Sequence, residues 1–224
     1  MIKVYVLCEG KTERAFVDTL LYPHFFRAGV ALIPIVCMTK REPSGVKYTG
    51  GISTYGKIRN ELLTLCHEHS NEYVTMMFDF YRLPRDTPGK DAALDATTMK
   101  KVLHLEERIS QDIGCRNFVS NIIMHEFEGL LFSMPDAFAY CGISKDYVRI
   151  LHEIRNAHDT PEHIDDGETT APSKRILAVH PQYSKVIDGI FVAETIGIEK
   201  ILSECPHFSD WTSKIMKLNT ANKI

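Results

Sequence analysis

Acidic residues recur where apolar runs end, and that pattern carries the chemistry of this chain. The stretch VYVLCEGKTE puts Glu9 directly behind the apolar run 2–8 and Glu13 four residues further on. If a helix starts at this turn, four residues is about one helical turn, so both carboxylates can face one crevice. MMFDFY delivers Asp79 at the end of a second apolar run, and HEFEGLLF delivers His125, Glu126 and Glu128 after a third. Carboxylates without cysteines beside them are hard oxygen donors, which suit Mg²⁺ or Mn²⁺ better than zinc. One acid at a strand end says little, because the chain leaves the core there anyway. Acids in three equivalent places point to a metal site made of Glu9, Glu13, Asp79 and the Glu126/Glu128 pair.

The same turn contains Gly10-Lys11-Thr12, which looks like the end of a phosphate-binding loop. Such a loop needs G-x-x-x-x-G-K-[ST], because its first glycine lets the backbone wrap the phosphates. Five positions before Gly10 stands Tyr5, inside the apolar run, so the wrap cannot form. Glu126 and Glu128 pose a separate problem, since an ideal helix would splay residues two apart by roughly 200°. They share one site only if the turn is irregular there. His125 is a candidate general base or a support for the acids, and a satisfied, partly buried histidine is the plain alternative.

A metal site that acts on a phosphate also needs a cation to neutralise charge on the reacting group. TTAPSKRILAV offers Thr170 as a helix cap, Pro172 in the first turn, and Lys174 and Arg175 close behind. A helix start flanked by cations can hold a phosphate, so Lys174 is the expected catalytic cation and Arg175 the second choice. A solvated helix start is the plain reading. GGISTYGKIRN similarly offers Gly50-Gly51 with Lys57 and Arg59. HDTPEHIDDGE is rich in acids and histidines but lacks the i, i+4 spacing of a zinc helix, and it reads as an exposed connection.

These residues need a scaffold, and the periodicity supplies one. IKVYVLC (2–8), ALIPIVC (31–37), EYVTMMFDF (72–80) and NFVSNIIM (117–124) are short apolar runs typical of buried strands. Pro34 argues for an edge position in the second. Helices are expected at about 12–24, from Ser53 or Thr54 to about 69, and at 99–113. Strands alternating with helices imply an α/β fold, a mostly parallel sheet flanked by helices. From Met134 the pattern turns helical, so the expected organisation is an α/β core over 1–135 and a helical C-terminal region over 136–224 packed on it. Trp211, in CPHFSDW, is expected to anchor a C-terminal helix.

The net charge of −3 and pI near 6.4 exclude binding nucleic acid by bulk electrostatics. Six scattered cysteines without CxxC spacing read as free thiols of a reducing compartment. No apolar run is long enough to span a membrane and no leader is visible, so a cytoplasmic protein is expected. Nothing in the sequence excludes an oligomer.

At Glu9, Glu13 and Asp79 the chain resembles a Toprim domain, the Rossmann-like fold of topoisomerases, DnaG-type primases, small RNA-processing nucleases and OLD (overcoming lysogenization defect) nucleases. Those proteins carry a glutamate after the first strand and an Asp-x-Asp after a later one. VYVLCEGKTE resembles the OLD-type E-G-x-T-E, which implies two metal-binding glutamates at Glu9 and Glu13. The later motif carries over to Asp79 alone, because Tyr81 replaces its second aspartate. Over nearly its full length, including Gly50-Gly51, HEFEGLLF, APSKRI and CPHFSDW, the chain is similar to a bacterial Toprim-like family of unknown function. Its members are often encoded beside an ABC-type ATPase. The resemblance implies an Mg²⁺- or Mn²⁺-dependent nuclease acting on DNA or RNA in phage defence with that ATPase as partner. Two alternatives stay open: a non-catalytic scaffold that binds the ATPase, a nucleotide or nucleic acid, and a phosphatase or nucleotidyl transferase acting on small molecules.

Overall fold

Alternate side chains of β1 (Ile2–Cys8) enter two different cores: Val4, Val6 and Cys8 one, Leu7 the other, with Tyr5 packed at its margin. A strand covered on both faces needs helices on both, which is why this run shows no polar alternation. The computed structural model describes residues 1–38, 54–91, 97–164, 167 and 169–221. Gly50, Gly51, Ser53, Asp165, Asp166 and Glu168 therefore lie outside the described residues.

The sheet runs in the order β2 (Val30–Val36), β1, β3 (Tyr73–Asp79), β4 (Phe118–Val119), and β5 (Ile122–Ile123) also pairs with β3. Every pairing is parallel. Pro34 lies in β2 at the sheet edge, where a missing N–H is tolerated. The expected strand 117–124 is interrupted. Between its two halves the Asn121 side chain donates to the Met76 carbonyl at 3.2 Å, and Thr75 Oγ1 donates to the Val119 carbonyl at 2.7 Å. Side-chain donors there replace part of the ladder, a substitution that apolar periodicity does not reveal.

From β1 the chain enters α1 (Lys11–Phe16), continues through a π-helical stretch Val17–Leu21, and ends in α2 (Tyr22–Arg27). The wide turn accommodates Pro23, which has no N–H to give and would clash with the carbonyl four residues back in a regular helix. α3 (Tyr55–Glu68) and α4 (Thr98–Ile113) cover one face through Ile58, Leu62, Val102 and Ile109. The other face is covered by α1, α2 and the later helices: α5 (Phe127–Leu131), α6 (Lys145–Asn156), α7 (Pro172–Val179), α8 (Asp188–Ile196), α9 (Ile198–Glu204) and α10 (Pro206–Ala221). Beyond β5 there is no strand among the described residues. Phe138, Ile201 and Ile215 share one core with Val4 and Phe16.

Contacts with the sheet and with the 158–168 segment help to fix α10. Trp211, 2% exposed, donates from Nε1 to Thr75 Oγ1 on the sheet at 3.0 Å. Glu162, from the acid-rich 158–168 segment, accepts from the backbone N–H groups of His207 and Phe208, each at 2.9 Å. A carboxylate thus satisfies the first-turn donors that every helix leaves open. The six cysteines are free thiols, four of them buried. No helix among the described residues is long and apolar enough to cross a membrane.

Candidate functional site

In this strand order the connections leave β1 toward β2 on one side, while β3 pairs on the other. At such a reversal open α/β sheets place their ligand crevice, beyond the carboxyl ends of the strands, here β1 and β3. Glu9 follows β1 there, and its Oε2 accepts from the backbone N–H of Asp79, the last residue of β3, at 3.3 Å. Glu13 folds back over the start of α1, its Oε2 accepting from Gly10 N at 2.8 Å. Asp79 is 1% exposed; its Oδ1 accepts from Phe127 N at 2.9 Å, so the carboxylate also fastens the start of α5 to the sheet.

The turn before α5 is irregular, which resolves the splay expected of Glu126 and Glu128. His125 has φ 58°, in the left-handed region, where among the described residues no other non-glycine lies. Holding such a residue there costs on the order of 1–3 kcal/mol. Its carbonyl accepts from Tyr81 N at 3.2 Å, and its ring meets Phe80 edge-on at 6.5 Å. Glu126 follows in extended conformation as the N-cap, and the helix begins only at Phe127. Glu126 then accepts from Ser173 N at 3.1 Å, while Glu128 Oε2 lies 2.9 Å from Lys185 Nζ. Both are buried. His125 thus shapes the backbone that converges the acids.

The cations differ from those expected. Lys174 is exposed and, among the described residues, makes no ion pair with a site carboxylate. Arg175 donates from Nε to the Thr170 carbonyl at 2.6 Å, and Ala171 rather than Thr170 is the N-cap of α7. What α7 contributes is its N-terminus, through Ser173 N on Glu126. Arg59 is committed to Asp112 of α4 at 2.9 Å. Among the described residues, cations paired with the site carboxylates are Lys185, from the connection between α7 and α8, and Arg82, whose NH1 lies 3.5 Å from Glu9 Oε1. Lys185 also reaches Asp79 Oδ2 at 3.3 Å. Neither stands in a motif: HPQYSKVIDG reads as a polar connection, and Arg82 as part of a loop.

Crowding acids out of water shifts their titration. Burial first, and then Asp79 and Glu13, push Glu9 up to about 8, against the pull of Arg82. Burial also raises Glu128, to about 7, although Lys185 opposes it. Asp79 and Glu13 move up by the same causes, burial leading. For Lys185 burial favours the neutral amine, but Asp79 and Glu128 outweigh it and hold the ammonium charged. Glu9, Glu13, Asp79, Glu126 and Glu128 thus face Lys185 and Arg82 among the described residues. This all-oxygen, acid-rich set fits Mg²⁺ or Mn²⁺ in kind and charge. Each acid is meanwhile engaged by an internal donor, and among the described residues no three His, Cys, Asp or Glu side chains stand ready-spaced for a metal ion.

A family model described as "Domain of unknown function (DUF4276)" matches residues 8–216. No curated protein and no solved structure matches the chain.

Proposed function

The chain belongs to the DUF4276 family, whose description assigns no activity, and we propose from its site that it is a metal-dependent phosphodiesterase acting on DNA or RNA. One observation carries the reading: carboxylates from the ends of β1 and β3 and from the start of α5, buried except for the partly buried Glu9, meet at the switch point of a parallel sheet, with fewer cations than acids among the described residues. Glu9, Glu13 and Asp79, with Glu126 across the crevice, would hold Mg²⁺ or Mn²⁺. Such an ion, when bound, polarises a phosphoryl oxygen and lowers the pKa of a water.

The chain's own groups do the rest. Glu9, if it does not ligate the ion, can instead act as general acid or base, giving or taking a proton at Oε1 or Oε2. Lys185 offsets the charge of Asp79 and Glu128, and Arg82, with half its side chain exposed, is placed to meet a phosphate at the mouth. The resemblance to Toprim nucleases supports a nucleic-acid substrate, a cytoplasmic setting, and a phage-defence role beside an ABC-type ATPase that supplies the nucleic-acid affinity an acidic chain lacks.

A second reading, a non-catalytic scaffold, is favoured by Tyr81 at the place of a second aspartate and by the engagement of each acid with an internal donor. Cleavage of labelled DNA and RNA by the chain, alone and with the ATPase encoded beside it, separates the two. The nuclease reading expects cleavage in Mn²⁺ or Mg²⁺ that EDTA abolishes. No cleavage under any of these conditions favours the scaffold.

A further inference from the structure

We propose that Glu106, His207 and Glu162 form a proton-operated clasp at the edge of the sheet: the charged imidazole of His207 bolts the first turn of α10 to α4, and loss of its proton releases that turn.

The three side chains are buried, come from three separate segments and include none of the crevice acids. His207 Nε2 lies 3.1 Å from Glu106 Oε1 on α4, and His207 Nδ1 lies 3.9 Å from Glu162 Oε1. A neutral imidazole has one N–H and one lone pair, so one ring nitrogen would turn its lone pair toward a carboxylate. Only the imidazolium presents an N–H to both. Without its charge, two buried carboxylates lose the cation that stands between them, which is costly in an interior.

Backbone donors hold both acids in place. Glu106 Oε1 accepts from Ile122 N of β5 at 2.8 Å, and Glu162 accepts from His207 N and Phe208 N. α4 packs on one face of the sheet and α10 on the other, so the clasp joins the two layers around the β4–β5 edge. Lys214, on α10 and paired with Asp210 at 2.7 Å, opposes the charge on His207, and His163 acts on Glu162 from its own segment. The Cys205 thiol beside Glu162 is kept protonated by burial.

Burial favours the neutral ring of His207, but the hydrogen bond and charge of Glu106, then the charge of Glu162, outweigh it and raise its titration above the ordinary value of 6.5. A histidine so raised stabilises fully below its unfolded value, and that contribution is lost as pH rises through the folded one.

The test is nuclear magnetic resonance on the full chain between about pH 6 and pH 10, reading the ¹⁵N shifts of the His207 ring and the hydrogen exchange of the His207 and Phe208 amides. Both ring nitrogens should stay protonated above pH 6.5. Protection at the two amides, corrected for intrinsic exchange, should fall by about tenfold for each pH unit by which His207 titrates above its ordinary value. His207→Gln, which can still donate to Glu106 but carries no charge, should lose this pH dependence. If that variant does not fold, Glu106→Gln serves in its place, and His207 should titrate lower in it than in wild type. A wild-type His207 that titrates at or below its ordinary value, or amide protection that does not follow its titration, overturns the clasp. So does a pH dependence that persists in His207→Gln, or a titration that Glu106→Gln leaves unmoved.

Discussion

Glu9 Oε2 accepts the backbone N–H of Asp79 at 3.3 Å, so two acids 70 positions apart in sequence are joined at the ends of neighbouring parallel strands. The bond puts Glu9 against the group it repels most among its neighbours, and only burial lifts its titration further.

Glu9→Gln keeps the size and hydrogen-bonding reach of the side chain but removes its charge. On the proposed nuclease reading, loss of cleavage by two or more orders of magnitude is expected, about 2.7 kcal/mol of transition-state stabilisation. Glu153→Gln, in an exposed pair with Arg149 on α6, should cut like wild type. A Glu9→Gln variant that melts normally and cuts at full speed would place the proposed chemistry elsewhere. Glu168, an acid of the 158–168 connection, lies outside the described residues and makes a poorer control.

The metal-free protein should become less stable as pH rises from about 4.5 to about 8. Glu9 binds its proton more tightly folded than its ordinary value near 4.5, titrating near 8. Between those values the native state holds more protons than the unfolded chain, so this contribution is full below 4.5, declines with rising pH, and levels off above 8. Glu128, raised to about 7, adds in the same direction. In EDTA, Glu9→Gln should gain in melting temperature over wild type at pH 8.5 and gain less at pH 5. An equal difference at both pH values would contradict the buried, acid-crowded setting of Glu9.

Removing Glu162 tests the other acid-rich segment. Its carboxylate accepts two backbone N–H groups of α10 and is 2% exposed, so Glu162→Ala leaves both donors buried. Hydrogen bonds to a charged acceptor are worth about 1.5–3 kcal/mol each, and a loss of at least 2 kcal/mol is expected in urea unfolding. Unchanged stability would mean that α10 is held by Trp211 and its neighbours alone.

Tyr183→Phe should do the opposite. The Tyr183 hydroxyl is buried without a hydrogen-bond partner among the described residues. Taking away a buried unsatisfied hydroxyl relieves a cost of about 1–3 kcal/mol, against a small loss of packing. The variant is expected to match or exceed wild type in denaturant midpoint. A drop of more than about 1 kcal/mol would show that the hydroxyl is bonded after all.

By itself the sequence determined the layers and the acids. Apolar runs such as IKVYVLC and EYVTMMFDF are buried on both faces, and burial is written in composition, so β1 and β3 were legible to within a residue or two. A carboxylate at the end of such a run is legible for the same reason, and Glu9 and Asp79 stand at the positions it indicates. Tertiary structure alone decided what joins them. Strand order put Asp79 beside Glu9, a left-handed His125 turned Glu126 and Glu128 to one side, and Lys185 replaced Lys174 as the inward cation. A lysine in a polar connection looks the same in sequence whether its ammonium faces water or two buried carboxylates. The difference lies in through-space charge and in the fold of residues 180–189, which no local pattern encodes.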